Sequence, residues 1–403
     1  MQNRKENPLS FESLCVQGVK EIRSTPPHQL PLYATSSFSF EQVEDSIDVF
    51  TGKKQGHVYS RYANPTTDSV ANKIALLESF DTSKNAYAFL TSSGMSSISS
   101  IGMALLKEGD SILTQGNLYG GTTELFQKLF SMWNIRTFFA DFTDLDEVEW
   151  FITKNSSIRM IYLESPANPT LSCVDLNSLT SLAKSNDILT VIDNTFPTPY
   201  LQRPFLYDVD FIIHSSTKYL NGHGTSISGV IVGWKEEYRK RIWEVIKLAG
   251  THCSPWEAWL LNNGLKTLPL RMDKHSENAM ALATFLSEHK KVEKVNYLGL
   301  KDHPHHMLAS RQMTGFGGML SFAVDGNIDQ AIRFINGLKM ITMAPTLGDV
   351  DTLVLHPVTS SHINISKDLR EKYGITENLV RLSVGIERIE DIINDVDRSL
   401  NAL

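Results

Sequence analysis

The sequence is poor in cysteine: 403 residues hold three, Cys15, Cys173 and Cys253. They are too few and too scattered for a disulfide framework or a zinc site, so no metal site is expected and a reducing, cytoplasmic setting is the default expectation. A run of about 18 uncharged apolar residues is also missing, so neither a membrane span nor a membrane partner is expected. The start, MQNRKENPLSFESLC, lacks an apolar core of the signal-peptide type. Basic charge is not in excess: 38 Lys plus Arg against 45 Asp plus Glu give a net charge of −7. A nucleic-acid binder normally carries a basic domain or stripe, so no nucleic-acid partner is expected. There is no internal repeat and no low-complexity stretch. With 41% hydrophobic and 21% charged residues, the composition excludes a disordered, collagen-like or coiled-coil chain. At roughly 150 residues per domain the length suggests two or three domains.

Residues 1–64 read as an extended arm. Three prolines in TPPHQLPLYATSSFSF disfavour a long helix there. The polar loop GKKQGHVYSRYANPTT follows and ends where a helix is expected near Thr67. From about 70 to 235, short apolar runs alternate with helix-like connectors: AYAFLTS (86–92), SILTQG (111–116), RTFFAD (136–141), MIYLES (160–165), LTVIDN (189–194), FIIHSS (211–216) and GVIVG (229–233). Seven such runs predict an α/β domain with a seven-stranded, mostly parallel sheet; only a loop separates the last two, which leaves room for an antiparallel neighbour or a hairpin-like return. Residues 236–275 read as helical. Beyond them, VEKVNYLG, GGMLSFAV, MITMAP, TLVLHP and NLVRLSVG read as strands, and DQAIRFINGLK and IEDIINDVDRSLNAL as helices, which makes a smaller α+β domain. The division is therefore 1–64, 65–260 and 261–403.

In a parallel α/β sheet, ligands bind at the carboxyl ends of the strands. After AYAFLT stands SSGMSSISSIGMAL, where Gly94 permits a sharp turn and free N–H groups at a helix start can cradle a phosphate. A plain serine N-cap is the other reading of the same residues. Asp193 ends the LTVI run, where an acid is costly unless paired. Lys218 follows FIIHSST, among hydroxyls and glycines, where a lysine can form a Schiff base with an aldehyde. A phosphate cradle, a strand-end carboxylate and a strand-end amine on one sheet edge match the three needs of pyridoxal phosphate. No G-x-G-x-x-G follows the first strand, which sets aside a nucleotide-binding oxidoreductase. His303, His305 and His306 look like a metal tract but sit in a polar stretch before a strand, and read as solvated or at most as a loop near the cavity.

The ordered motifs VYSRYANPT (58–66), SSGMSSI (92–98), NLYGGT (117–122), ESPANPT (164–170), VIDNTF (191–196), HSSTKYLNGH (214–223), GFGGMLSF (315–322), TLGDVDTLVLHP (346–357) and LVRLSVGIE (379–387) carry a resemblance over about residues 15–400. The chain resembles the Cys/Met-metabolism (trans-sulfuration) family of pyridoxal-phosphate enzymes. The resemblance implies an α/β fold of fold type I, with a large cofactor domain and a smaller C-terminal domain. It implies Lys218 as the Schiff-base lysine and proton carrier, Asp193 on the pyridinium nitrogen, and Tyr119 stacked on the ring. Ser93, Gly94, Met95, Ser215 and Thr217 would hold the phosphate. Asn168 would lie near the cofactor's 3′-oxygen and the substrate carboxylate, with Arg381 and Thr346 on that carboxylate. Tyr59 and Arg61 would reach the neighbouring subunit's cofactor, so the arm would contact that subunit. The implied assembly is a homo-oligomer, a dimer with shared active sites, with a tetramer built of two such dimers.

The substrate is then a small amino acid. Glu124 stands where cystathionine-handling members commonly carry an arginine for the distal carboxylate, and Pro345 where they often carry a glutamate. Gly121 stands where typical methionine γ-lyases have a cysteine. The stretch LGDVDTLVLHP is more similar to methionine γ-lyases and O-acylhomoserine sulfhydrylases. The reading is a pyridoxal-phosphate-dependent carbon–sulfur lyase of methionine γ-lyase type. The alternatives are γ-replacement by an O-acylhomoserine sulfhydrylase or cystathionine γ-synthase, or a cystathionine γ-lyase. A non-catalytic binding protein on the same fold would be expected to lack Lys218, Asp193 or Arg381, and all three are present.

Overall fold

The computed structural model describes residues 9–18, 25–363 and 367–403. The expectations that fall on 1–8, 19–24 and 364–366 lie outside the described residues.

All seven apolar runs of the first half become strands: β1 (Tyr87–Thr91), β2 (Ser111–Gln115), β3 (Arg136–Ala140), β4 (Ile158–Glu164), β5 (Leu189–Asp193), β6 (Phe211–His214) and β7 (Gly229–Gly233). They form one sheet in the order β1-β7-β6-β5-β4-β2-β3. β7 runs antiparallel to both β6 and β1, and the other pairings are parallel. The return between FIIHSS and GVIVG is thus antiparallel.

Successive side chains of a strand point to opposite faces. Here both faces are apolar. Ile112, Met160, Tyr162, Val191, Ile213 and Ile231 pack on one side with Ile98 and Ile101 of the helix Gly94–Leu105. Their neighbours Leu113, Ile161, Leu163, Ile192, Ile212 and Val230 pack on the other side with Val70, Ile74 and Leu77 of the helix Pro65–Glu78. A sheet covered on both faces explains why its strands read as unbroken apolar runs rather than as an alternation. The helix Pro65–Glu78 starts two residues before Thr67, because proline at the first helical position has no N–H to leave unpaired and Asn64 caps the turn through Thr66 N–H at 2.9 Å.

The second sheet has the order β10-β11-β12-β9-β8, from β8 (Val292–Asn296), β9 (Met319–Val324), β10 (Thr342–Met343), β11 (Leu353–Leu355) and β12 (Leu379–Ser383). The helix Leu268–Glu288 packs on β8 and β9 and on the helix Ile389–Asn401. The helix Pro255–Leu265 runs across residue 260 and packs on Pro65–Glu78. Among the described residues of 9–64 there are two short helices, Phe11–Gln17 and Val43–Phe50, and the proline-rich stretch 25–40 is not helical.

The three histidines are a correction. His303 is buried and burial pushes it down to about 4, His305 is lowered for the same reason, and His306 opens the helix His306–Gln312 with its ring bonded to Leu298 O at 2.7 Å. His303 is buried rather than solvated, and His305 and His306 are half-buried. His303 lies by the backbone of Thr170 and His305 by that of Cys173, contacts that the local polar stretch does not reveal.

Under the sheet edge lies a buried polar network. Glu78, fully buried, shares one carboxylate oxygen between His214 at the end of β6 and Asn194 just past β5. Asn194 exchanges hydrogen bonds with Gln202, whose amide also donates to Ser165 O just past β4 at 2.8 Å. Removing one partner of a buried pair leaves the other unpaired in a low dielectric. Glu78→Ala should therefore lower stability by about 3 kcal/mol or more, with Glu78→Gln losing less. Denaturant melting of both variants checks this, and equal, small losses would argue against the network's weight.

Candidate active site

One cavity of about 910 Å³ opens at the carboxyl edge of the first sheet. Of the thirteen residues the sequence singles out, eleven line it: Ser93, Gly94, Met95, Tyr119, Asn168, Asp193, Ser215, Thr217, Lys218, Thr346 and Arg381. Tyr59 and Arg61 do not. Arg61 donates to Lys247 O at 2.6 Å and its guanidinium lies over the rings of Tyr59 and Tyr62. The fold does not bring this pair to the cavity of its own chain.

The serine cap forms, and it leaves N–H groups on the cavity wall. Ser93 caps the helix Gly94–Leu105 in a reciprocal box: its hydroxyl accepts from Ser96 N–H at 3.1 Å, and Ser96 Oγ accepts from Ser93 N–H at 2.8 Å. The first helical N–H groups have no intrahelical partner. The box uses those of Ser93 and Ser96 and leaves those of Gly94 and Met95, which line the cavity. Gly94 is required by close approach, since a Cβ there would lie 2.8 Å from Ser215 Cβ. The cap thus brings the N–H groups against the Ser215 loop, a cradle suited to an anion.

Asp193 ends β5 and Glu164 ends β4, opposite each other in the parallel register. Asp193 accepts from the N–H of Thr195 at 3.0 Å and from its hydroxyl, and that hydroxyl in turn accepts from Ser215 N–H at 2.8 Å. Thr195 therefore ties the carboxylate to the cradle. Burial raises the Asp193 carboxyl, while Thr195, His214 and Tyr162 oppose the rise. Burial and the neighbouring Asp193 push Glu164 up to about 8, against the Tyr119 N–H that its Oε1 accepts at 2.9 Å. Neither Glu164 nor Thr195 was singled out from the sequence. An acid at the end of a buried run, the same signal that marks Asp193, could have found Glu164.

Across the cavity, the second sheet contributes Arg381 from the middle of β12. Its Nη2 donates to Thr346 O at 2.9 Å and its buried Nε has no partner. Burial lowers it to about 10, so it stays charged at neutral pH. Thr346 also accepts from Lys218 Nζ at 2.9 Å. Burial and Arg381 lower the Lys218 ammonium, and Asp349 opposes them. Asn168 presents a second orphan, its buried Oδ1. At the rim, Glu124 pairs with Lys128 at 3.4 Å.

A half-buried amine, a strand-end carboxylate, an N–H cradle and two polar atoms without partners among the described residues fit pyridoxal phosphate by their chemistry. The chain matches the family described as Cys/Met metabolism PLP-dependent enzyme over residues 12–401. The chain belongs to that family. It is a pyridoxal-phosphate-dependent enzyme of sulfur amino-acid metabolism, acting on a small amino acid. It is 41% identical, over 93% of both chains, to an L-methionine gamma-lyase of Fusobacterium nucleatum subsp. polymorphum. To an O-succinylhomoserine sulfhydrylase of Pseudomonas aeruginosa it is 38% identical over 98% of this chain and 96% of that one. Among solved structures, a putative O-acetylhomoserine (thiol)-lyase of Campylobacter jejuni, holding N′-pyridoxyl-lysine-5′-monophosphate, superposes with a TM-score of 0.92 at 28% identity, covering 98% of this chain and 100% of that one.

The carboxyl pair makes a pH prediction. Glu164 keeps its proton in the folded protein up to about pH 8, whereas the unfolded chain loses it near the ordinary 4.5. Across that window the unfolded state binds fewer protons, so stability falls as pH rises. Glu164→Gln should flatten the fall, read from urea midpoints of the cofactor-free protein at several pH values. An unchanged slope would contradict the shift.

Proposed function

We propose that this enzyme is a carbon–sulfur lyase of methionine γ-lyase type, which takes an L-amino acid with a neutral γ-thioether to a 2-oxo acid, ammonia and a thiol. The observation that carries the substrate choice is the charge on the cavity wall. The lining cations are Lys128, Lys218 and Arg381. Lys218 is the amine of the reaction and Lys128 is engaged by Glu124. Among the chain's own groups, that leaves one guanidinium for one carboxylate, the partner subunit's Arg61 being assigned below to the cofactor. A substrate with a second, distal carboxylate, as in cystathionine, would meet Glu124 and no matching guanidinium.

Bound pyridoxal phosphate supplies an aldehyde for the amines and a ring that stores an electron pair. In this reading the N–H groups of Gly94 and Met95, with Ser93, Ser215 and Thr217, hold its phosphate, and Asp193 keeps a proton on its ring nitrogen. Tyr119 covers the ring, and Asn168 serves its 3′-oxygen. Arg381 orients the substrate by its α-carboxylate through a planar fork with an unused Nε. Lys218 Nζ, its ammonium lowered by burial, accepts the proton from Cα and moves protons at Cβ. Thr346 gives that amine a resting acceptor beside the carboxylate clamp.

We further propose a cytoplasmic homo-oligomer, a dimer or a tetramer of two dimers, in which Tyr59 and Arg61 serve the partner's cavity, divided as arm 1–64, cofactor domain 65–260 and small domain 261–403. Their absence from the cavity of their own chain supports this. Mixing Arg61→Ala with Lys218→Ala subunits should restore part of an activity that neither variant has alone. No recovery in hybrids isolated as mixed oligomers would overturn the shared site.

The main test is a product screen. L-Methionine, L-cystathionine and L-cysteine are offered alone, and O-acetyl- or O-succinylhomoserine with sulfide or cysteine. 2-Oxo acid from methionine should exceed that from cystathionine by about tenfold or more, the scale of one unmatched charged group. A dominant thioether or homocysteine product would assign the protein to γ-replacement instead.

A further inference from the structure

Glu164 has no role in the reading above, yet it is built into the cavity wall. It is 7% exposed and ends β4 level with Asp193. Its backbone is held on both sides by one amide: Gln115 Oε1 accepts from Glu164 N–H at 3.1 Å, and Gln115 Nε2 donates to Glu164 O at 3.0 Å. Gln115 Nε2 also donates to Asn117, which is anchored on Ser172 at 2.6 Å. The side chain therefore projects from a fixed base. Its Oε1 accepts the backbone N–H of Tyr119.

Tyr119 needs such a hold. It begins the five-residue helix Gly120–Glu124, has no side-chain cap, and its side chain is 47% exposed. Its ring lies against Gly121, where a Cβ would come within 2.6 Å of Tyr119 Cε1. The ring's place over the cavity is thus set by its backbone. Tyr119 O accepts from Thr122 and Thr123 N–H of its own short helix at 2.9 and 3.2 Å, and its N–H ties it to the sheet through Glu164.

We propose that Glu164 is a positioning residue: its carboxyl oxygen, fixed by Gln115, holds Tyr119 by the backbone N–H and so sets the ring over the cofactor. The inference rests on the reading in which Tyr119 covers that ring. The acceptor and its reach matter, not the charge.

The holoenzyme tests it. Glu164→Ala should lower kcat about ten- to a hundredfold, with KM for the amino acid changed far less, because a reacting group misplaced by an ångström costs on that order. The circular dichroism of the visible cofactor band should weaken with it. Glu164→Gln keeps an acceptor at the same reach and should restore both readouts. Glu164→Asp keeps the acid but draws the oxygen back by one methylene, and should fall with Ala, which also covers the case of an Ala variant that does not fold. A native-like Asp variant beside an impaired Gln variant would overturn the proposal in favour of charge. Loss of kcat and dichroism in Tyr119→Ala but not in Glu164→Ala would overturn it alone. Unchanged kcat and dichroism in Tyr119→Ala would overturn the underlying reading of Tyr119 together with it.

Discussion

A single buried carboxylate organises the reactive edge of this protein. Glu78 reaches from the end of a helix to the ends of three strands, directly to β6 through His214 and to β5 through Asn194, and by way of Gln202 to the residue that follows β4. Those strand ends lead into Lys218, Asp193 and Asn168. In water such hydrogen bonds would compete with solvent. Inside the sheet they are stronger, and the alternative of leaving them unmade is costly. The strand ends are thereby fixed relative to one another before any ligand arrives, which is what a site with several short-range contacts needs.

The second sheet closes the site from the other side, and Thr346 is where the two halves meet. Its hydroxyl accepts from Lys218 and its carbonyl from Arg381. Gly348, two residues on, packs on the Lys218–Tyr219 backbone, with φ +81° and no room for a Cβ. Amine and guanidinium are therefore referenced to one residue on one tight turn. Burial and the Arg381 guanidinium both lower the Lys218 ammonium, which eases the loss of its proton.

Much of this was legible in the chain. The seven strands are visible because a sheet buried on both faces demands continuous apolar runs, and Lys218 and Asp193 because polar residues at the ends of such runs are conspicuous. The capping serines read two ways; the folded chain makes the cap, and no local pattern decides the anion cradle. The burial of His303 is silent in the sequence because it comes from the fold, which sets it by the backbone of Thr170. Glu164 is marked in the sequence only as an acid ending an apolar run; its partner, a backbone N–H 45 positions away, leaves no trace there. The Glu78–His214 pair is separated by 136 positions and is equally silent.

Charge shows the same division between composition and place. The net −7 says nothing about the cavity, because exposed charges are screened over about 10 Å. Inside, three carboxyls and two cations sit where water is scarce, and each is handled differently. Glu78 is bonded to two donors, Asp193 is held by Thr195, and Glu164 is pushed up to about 8 so that it stays protonated at neutral pH. Burial and the neighbouring Asp193 both favour the proton on Glu164, so the two facing carboxyls are not driven to carry two adjacent negative charges, and Glu164 Oε1 serves as the acceptor for Tyr119 N–H.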